Sequence, residues 1–410
     1  MRKFSLTTSA AILAFATSLT ASLAAPAPAP APQAASQPQA GSLCLQVKNP
    51  GARDTCLTAV SEYRKGNYTI SRSLMKKASD ASPKEGILRV ELARISLKFE
   101  GYGPAERQLL QARKDGAPDH EVLPVLFFAM VGLHKEVTLL DQFPEPAPNA
   151  KGEVVIDILK GRAQALESLD RVPEAAAELD RALSLSRDSD GLLFRATLAT
   201  KQKDAALAKK LIDEAYRLAP HESPVMAAKL EQLEKANDSA GVLVLADEMQ
   251  KLYPINSDPR EAKIRVYLKQ NQDAKAKAEL DAYMAFRPKS PLGIFYRAVL
   301  TSRAHNKMAA AQLIQSLPPD FVRAHPEHAI QMAQISNDNG NPESAASILG
   351  AALGAAPDMI DVRLALVSLR LSQDSPQSAL LLLNPVKDSH DPQVQKLLTQ
   401  VRARLAKDRT

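Results

Sequence analysis

Small and apolar residues recur along this chain at fixed spacings. In each copy of the pattern a small residue, most often alanine, is followed by apolar or small residues four and seven positions later, and then by a proline or turn residue. Positions separated in this way lie on one face of an α-helix, so each copy predicts a helix with one buried face. Copies begin at Ser71, Ala105, Ala175, Ala208, Val242, Ala276, Ala310, Ala345 and Ala379, and a degenerate copy lies around Val137.

The copies are 32 to 38 residues apart, and most intervals are 33 to 35 residues. A second helical segment precedes each copy. For example, "DILKGRAQALESL" comes before "EAAAELDRALSL", with the turn "DRVPE" where they join. The turns "NGNPE" and "QDSPQ" occupy the same place in later copies. A period near 34 residues with two helices in each unit is the signature of tetratricopeptide repeats.

We therefore predict an all-α fold, a right-handed solenoid of about ten helix-turn-helix repeats. Stacking of neighbouring units supplies the core, because no unit can bury its apolar face alone. After the last unit, "PQVQKLLTQVRARLAK" predicts a C-terminal capping helix with a polar outer face. Aromatic residues make up only 4% of the chain and Trp is absent, which favours closely packed helices over sheets.

The N-terminal residues do not belong to this fold. Arg2 and Lys3 precede a short apolar stretch, which predicts a signal peptide and an exported chain with no integral membrane segment. The predicted organisation is a signal peptide at 1–24, a Pro/Ala-rich linker at 25–43, an N-terminal block of three repeats (the third degenerate) at 44–142, an irregular connection at 143–152, a C-terminal block of seven repeats at 153–391, and a capping helix and tail at 392–410.

The chain has two cysteines, Cys44 and Cys56, close to the end of the linker. In an exported protein such a pair predicts a disulfide. A lipid anchor on Cys44 is less favoured, because Leu43 stands where a lipobox needs a small residue. Metal binding by two cysteines alone is weaker still.

Net charge excludes one class of partner. Removal of the two basic residues of the signal peptide lowers the formal charge from +6 to +4. A balance so close to neutral does not indicate a nucleic-acid partner.

No motif in the sequence indicates catalysis, so we expect neither an enzyme nor a cofactor or metal site. His325 and His328 are close together in "HPEH", but the spacing is not that of a zinc-protease helix, and a helix-start or surface role is favoured. "NDNGNPESA" does not match the twelve-residue calcium loop. It reads instead as a turn between helices, since Asn and Gly tolerate left-handed backbone angles.

The tetratricopeptide pattern implies that the first helix of each unit faces the usual binding groove. Tyr296, with its neighbour Phe295, is a candidate for an aromatic stacking patch there, although at least one of the two rings is expected in the core. The residues eleven positions before the first residue of a copy form the candidate groove row. They are Arg94, Gln164, Thr197, Glu231, Arg265 and Gln334. The residues seven positions before the first residue of a copy form the basic row. They are Arg64, Lys98, Lys201, Lys235, Lys269 and Arg303.

The basic row has two interpretations. It is either a cationic ladder for an acidic polysaccharide or acidic peptide segment, or a set of side chains that stabilise helix C-termini by opposing the helix dipole. Helix-end stabilisation is the favoured interpretation, because tetratricopeptide units commonly carry Lys at this place.

Several stretches narrow the resemblance. "ILKGRAQALESLDRVPEAAAELDRALSL" and "ESAASILGAALGAAPDMIDVRLALVSLRL" resemble the tetratricopeptide proteins encoded with PEP-CTERM/exosortase and exopolysaccharide loci of Gram-negative bacteria, often called PrsT. Those proteins are usually longer and commonly lipoproteins, and this chain departs from both properties.

The resemblance implies a periplasmic or secreted, non-catalytic scaffold that holds envelope proteins or peptide segments in exopolysaccharide or biofilm assembly or export. An anionic-polysaccharide-binding module and a generic envelope assembly adaptor or chaperone are the alternatives.

Overall fold

The computed structural model describes residues 42–65, 67–97, 101–254 and 256–407, which contain helices and no strand. The predicted signal peptide, nearly all of the predicted linker, and Lys98 lie outside the described residues. None of the described helices is both long and apolar enough to cross a membrane.

The α-helices, in chain order, are α1 Ser42–Leu45, α2 Pro50–Arg64, α3 Tyr68–Ala81, α4 Gly86–Ser96, α5 Tyr102–Lys114, α6 Asp119–Gly132, α7 Glu136–Gln142, α8 Glu153–Ser168, α9 Val172–Leu185, α10 Ser189–Lys201, α11 Ala205–Leu218, α12 Ser223–Lys235, α13 Ser239–Leu252, α14 Asp258–Lys269, α15 Asp273–Phe286, α16 Pro291–Arg303, α17 Lys307–Gln315, α18 Phe321–Ala324, α19 Ala329–Asp338, α20 Pro342–Ala355, α21 Ile360–Ser372, α22 Pro376–Leu383 and α23 Pro392–Lys407. Short 3₁₀ turns lie at Pro326–His328 and Asn384–Val386. The helices alternate as first and second members of two-helix units, from α2 and α3 to α21 and α22, so the all-α prediction is confirmed.

The repeating small and apolar residues form the core, as their spacing predicts. In the fourth unit Ala175, Leu179 and Ala182 are all fully buried. The degenerate third unit is the exception, because Val137 is 61% exposed while Leu139 is fully buried. Leu139 is the fourth residue of α7, just as Ala175 is the fourth residue of α9. The repeat therefore continues through the third unit on Leu139, and the assignment to Val137 was wrong.

The turn inside the third to tenth units has one backbone geometry. Its central residue adopts a left-handed conformation, and the next N–H reaches back to close the preceding helix, as Asp204 N donates to Ala199 O at 2.9 Å. This is the Schellman arrangement, which satisfies carbonyls left open at a helix end. The left-handed residues of the third to tenth units are His134, Asp170, Lys203, Asn237, Asn271, His305, Gly340 and Asp374.

The second helix then begins on a polar cap in several units. The carboxylate of Asp204 accepts a hydrogen bond from Leu207 N at 2.9 Å, and that of Asp238 accepts one from Gly241 N at 2.9 Å. Capping of this kind satisfies N–H groups that have no partner inside the helix. The turn chemistry of the sequence thus sets both the end of one helix and the start of the next.

The described chain divides into two compact parts between Ala262 and Lys263, inside α14. In the N-terminal part, the predicted disulfide joins Cys44 and Cys56, whose Cα atoms are 5.6 Å apart and whose side chains are fully buried. It ties α1 to α2.

The irregular connection at 143–152 lies within the N-terminal part, and its first residue packs against α6. The ring of Phe143 meets that of Phe127 edge-on, with centroids 4.7 Å apart. Phe127 in turn lies directly over Gly161 of α8, where an added Cβ would be 2.0 Å from the ring. Any larger residue at position 161 would clash with the Phe127 ring, so α6, the connection and α8 pack closely against one another.

In the C-terminal part the ninth unit departs from the regular pattern. Its first helix is interrupted: α18 has four residues, and a 3₁₀ turn separates it from α19. Pro326 accounts for the interruption, since proline cannot donate a backbone hydrogen bond inside a helix, and Pro318 and Pro319 lie before α18. The capping helix α23 closes the part by burying Val394, Leu398 and Val401.

Candidate binding surface

The candidate groove row is only partly exposed. Thr197, Glu231, Arg265 and Gln334 have exposed side chains, whereas Arg94 and Gln164 are half-buried. The exposed members differ in chemistry, since they comprise a hydroxyl, a carboxylate, a guanidinium and an amide. The N-terminal part thus presents a hydroxyl and a carboxylate in this row, and the C-terminal part a guanidinium and an amide.

Arg94 is engaged inside the N-terminal part. Its Nη1 donates to Glu91 Oε1 at 2.9 Å on its own helix, and its Nη2 donates to Glu121 Oε2 at 3.2 Å on α6. Burial raises the pKa of Glu91, although the charge of Arg94 acts to lower it. Arg94 therefore pairs with two enclosed carboxylates and joins the first helices of two neighbouring units.

The basic row is also paired where its side chains are described. Lys201 forms an ion pair with Glu167, and Arg303 Nη1 lies 2.8 Å from Asp273 Oδ1 and 3.2 Å from Asn271 Oδ1. Each of these bonds reaches back to the preceding unit.

Lys235 differs, because its Nζ lies 2.6 Å from Glu231 on the same helix. Lys269 is exposed at the end of α14, Arg64 ends α2, and Lys98 lies outside the described residues.

The pairs formed by Lys201 and Arg303 belong to a wider set that we call inter-unit braces. Each brace joins a residue at the end of a first helix, or at the turn that follows it, to a residue at or near the inter-helix turn of the preceding unit. The braces are Lys135–Glu106, Ser168–Glu136, Lys201–Glu167, Arg303–Asp273 and Gln373–Glu343, separated by 29, 32, 34, 30 and 30 residues respectively.

For Lys201 and Arg303 of the basic row, the brace is a third role beside a binding ladder and helix-end stabilisation. The sequence signal for a brace is an acidic residue about one repeat before a polar or basic residue at the end of a first helix.

The aromatic patch predicted at Tyr296 is instead part of the core. Tyr296 is 2% exposed and Phe295 is fully buried. The Phe295 ring stacks on the imidazole of His328 with centroids 4.2 Å apart, and Tyr296 meets the same imidazole edge-on at 5.9 Å. The return of the chain through the 3₁₀ turn covers both rings, so neither offers a stacking surface to a ligand.

The same return brings together three polar side chains that the sequence placed at a helix start or on the surface. His325 follows α18 and His328 precedes α19, in agreement with a helix-end role. Their ring nitrogens and a carboxylate oxygen of Glu327 all lie within 4.8 Å of one another. No catalytic nucleophile or base was predicted near this cluster.

A family model described as a tetratricopeptide repeat matches residues 337–401, which span the inter-helix turn of the ninth unit, the tenth unit and most of α23. With the two-helix units and their shared turn, this match decides the fold. The chain is a tetratricopeptide-repeat solenoid. Such solenoids serve as scaffolds for protein–protein interaction.

The human IFIT1 dimer with PPP-AAAA is similar to this tetratricopeptide-repeat protein over 89% of this chain and 93% of its own, with 14% identity and a TM-score of 0.51. Yeast Tom70 is similar over 89% of this chain and 91% of its own, with 14% identity and a TM-score of 0.45. At 14% identity the likeness to the IFIT1 structure is one of fold alone. No curated protein matches the chain. The narrower resemblance to the exopolysaccharide-associated proteins stays a prediction.

Proposed function

We propose that this chain is an exported, non-catalytic scaffold that holds protein partners in the envelope of a Gram-negative bacterium, in exopolysaccharide or biofilm assembly or export. The observation that carries the proposal is the mixed chemistry of the exposed groove row. Thr197 and Glu231 lie in the N-terminal part, and Arg265 and Gln334 in the C-terminal part. A protein surface offers donors, acceptors and both charges, and so complements such a row better than a uniform polymer does.

The disulfide supports an exported location. Disulfides persist in the periplasm and outside the cell but are rare in the reducing cytosol. The bond between Cys44 and Cys56 lies at the beginning of the described chain, directly after the predicted linker. Fractionation of cells, followed by thiol alkylation with and without reductant, tests this step. We expect the chain in the periplasmic or secreted fraction with both thiols protected until reduction, and a cytosolic, fully alkylated chain would contradict export.

The basic row supports a protein partner over an acidic polysaccharide. A cationic ladder attracts a polyanion through charges that no local carboxylate neutralises. Lys201, Lys235 and Arg303 each lie within ion-pair distance of an acidic side chain of this chain. A polyanion would therefore have to compete with Glu167, Glu231 and Asp273 for these three cations.

Two matched variants test the scaffold role. In the first, Thr197→Arg and Gln334→Arg place two bulky cations on the groove row. In the control, Ala177→Arg and Ser347→Arg place the same side chains at exposed, equivalent positions of the second helices α9 and α20. Both variants gain the same charge, so they differ only in which helices carry it.

Each variant is returned to a strain that lacks the gene, and exopolysaccharide and biofilm are measured. We expect the groove-row variant to lose function and its cross-linked protein partners, and the control to restore both. Normal exopolysaccharide and biofilm in the strain without the gene would contradict the proposal.

Equal function of the two variants would show that the groove row is not the binding surface. Binding of an acidic polysaccharide that is lost at moderate salt, and weakened by Lys235→Gln with Lys269→Gln, would favour the polymer-binding alternative.

A further inference from the structure

The interrupted first helix of the ninth unit has a geometric consequence. Between α18 and α19 the backbone turns through Pro326–His328, and the His328 N–H donates to the His325 carbonyl at 3.1 Å. This tight return directs three nearby side chains to one place, which a continuous helix would not do for residues at these offsets. Elsewhere in the described residues, no other three His, Cys, Asp or Glu side chains are grouped in this way.

The distances between the three groups match those of a metal-binding set. His325 Nδ1 lies 3.3 Å from Glu327 Oε1, and His328 Nε2 lies 3.7 Å from the same oxygen. In a tetrahedral zinc site with bonds near 2.0–2.1 Å, ligand atoms are separated by roughly 3.3 Å. The remaining pair, between the two imidazoles, lies within 4.8 Å. A shift of about 1 Å or less in each ring would complete the geometry.

The surroundings of the set also suit a metal ion. The imidazole of His328 is nearly enclosed, since its side chain is only 12% exposed. Its ring is held in place by stacking on Phe295, and that of His325 lies 4.9 Å from the ring of Phe321. Two imidazoles and one carboxylate form a donor set that zinc commonly takes.

One side of the set is open. The side chains of His325 and Glu327 are 38% and 47% exposed, whereas that of His328 is 12% exposed. A metal held by these three groups would therefore be anchored on the protein by His328 and reached from solvent past the other two. Three protein ligands with an open position are the arrangement of zinc sites that accept a fourth, exchangeable ligand.

We propose that His325, Glu327 and His328 form a binding site for a divalent transition-metal ion, best suited to Zn²⁺, whose fourth position is open to water or to a donor side chain of a partner protein. The site is independent of the proposed scaffold role.

The test uses the purified chain without a polyhistidine tag, stripped with a chelator and dialysed against micromolar Zn²⁺. We expect one Zn²⁺ per chain by elemental analysis, and visible absorption bands of low coordination number when Co²⁺ replaces it. Glu327→Gln keeps the shape of the side chain and removes the anionic ligand. His328→Phe keeps an aromatic ring against Phe295 and removes the nitrogen. Each is expected to weaken Zn²⁺ binding by about tenfold or more.

His390→Ala is the control, since His390 is an exposed histidine of the same compact part that lies outside the cluster. It should leave Zn²⁺ binding unchanged, and the double variant His325→Ala with His328→Phe should abolish it. Helical content by circular dichroism verifies that each variant is folded. Absence of stoichiometric Zn²⁺ on the unaltered chain, or the same affinity in the folded double variant, overturns the proposal.

Discussion

The first helices α10 and α12 belong to neighbouring units and end on lysines at equivalent positions, yet the two lysines have different roles. Lys201 of α10 joins its unit to the preceding one through Glu167. Lys235 of α12 pairs with Glu231 one turn earlier on the same helix, and both side chains are 64% exposed. A row of like residues in a repeat protein is therefore not a uniform surface, because each member's role depends on where its carboxylate partner lies.

The largest expected effect is at the enclosed ion pairs of Arg94. Arg94→Met leaves Glu91 and Glu121 without a cation, although their side chains are only 6% and 14% exposed. An uncompensated buried charge destabilises by several kcal/mol, so we expect a loss of about 3 kcal/mol in urea unfolding at pH 7. Adding Glu91→Gln and Glu121→Gln to the same variant should recover most of the loss. A loss of unfolding free energy under about 1 kcal/mol would contradict this expectation, because it would mean that solvent screens the charges around Arg94 as it screens the exposed pair of Lys235 and Glu231.

Helix α8, which carries Glu167 of the Lys201–Glu167 brace, also carries the half-buried carboxyl group of Asp157. Burial raises the pKa of Asp157 to about 6, Lys160 and His120 oppose this shift, and Glu153 and Asp188 add to it. A folded pKa above the unfolded one of 3.8 gives stability that is present below pH 4 and is lost as the pH rises through 6.

Asp157→Asn is therefore expected to stabilise the chain at pH 7.5 and to have little effect at pH 3.5. After allowance for solvent screening, the gain at pH 7.5 should be on the order of 1 kcal/mol. Unfolding of both proteins at each pH measures it, and an equal effect at the two pH values would contradict the raised pKa.

The backbone offers a comparison of the same two units that is independent of charge. Lys203 and Asn237 are the left-handed residues of the turns that follow α10 and α12. A left-handed lysine costs about 1 kcal/mol, whereas asparagine tolerates this conformation. Lys203→Gly should stabilise by about 0.5 kcal/mol or more, after the greater freedom of unfolded glycine is counted, and Asn237→Gly by less. A destabilised Lys203→Gly variant in thermal unfolding would contradict the assigned turn geometry.

The smallest effects test the two lysines themselves. Lys201→Gln should cost about 0.5 kcal/mol, and Lys235→Gln should have almost no effect, because exposed pairs within one helix contribute little. Double-mutant cycles with Glu167→Gln and Glu231→Gln isolate the two coupling energies. Equal coupling energies would remove the distinction between a brace and a pair within one helix.

The repeat itself was predictable because burial of one helical face imposes a strict period, as at Ala175, Leu179 and Ala182. The prediction was wrong at Val137 because the third unit has few of the marker residues, and only its burial shows that Leu139 takes the marker position.

Local spacing could not reveal contacts that depend on the path of the chain. The partner of Lys201 lies 34 residues away, and Tyr296 is buried because the segment around His328 folds back over it. The cluster of His325, Glu327 and His328 likewise follows from an interrupted helix rather than from a helical spacing.

The shared turn also bears on how such a chain changes length in evolution. Lys203 and Asn237 occupy the same conformation 34 residues apart, and each is followed by an aspartate that caps the next helix. Loss of residues 204–237 would join Lys203 to Asp238 and preserve both the turn and the cap. Duplication of the same segment would preserve them equally well. A gene of this design can therefore gain or lose whole units by recombination within the reading frame, without a new junction having to be selected.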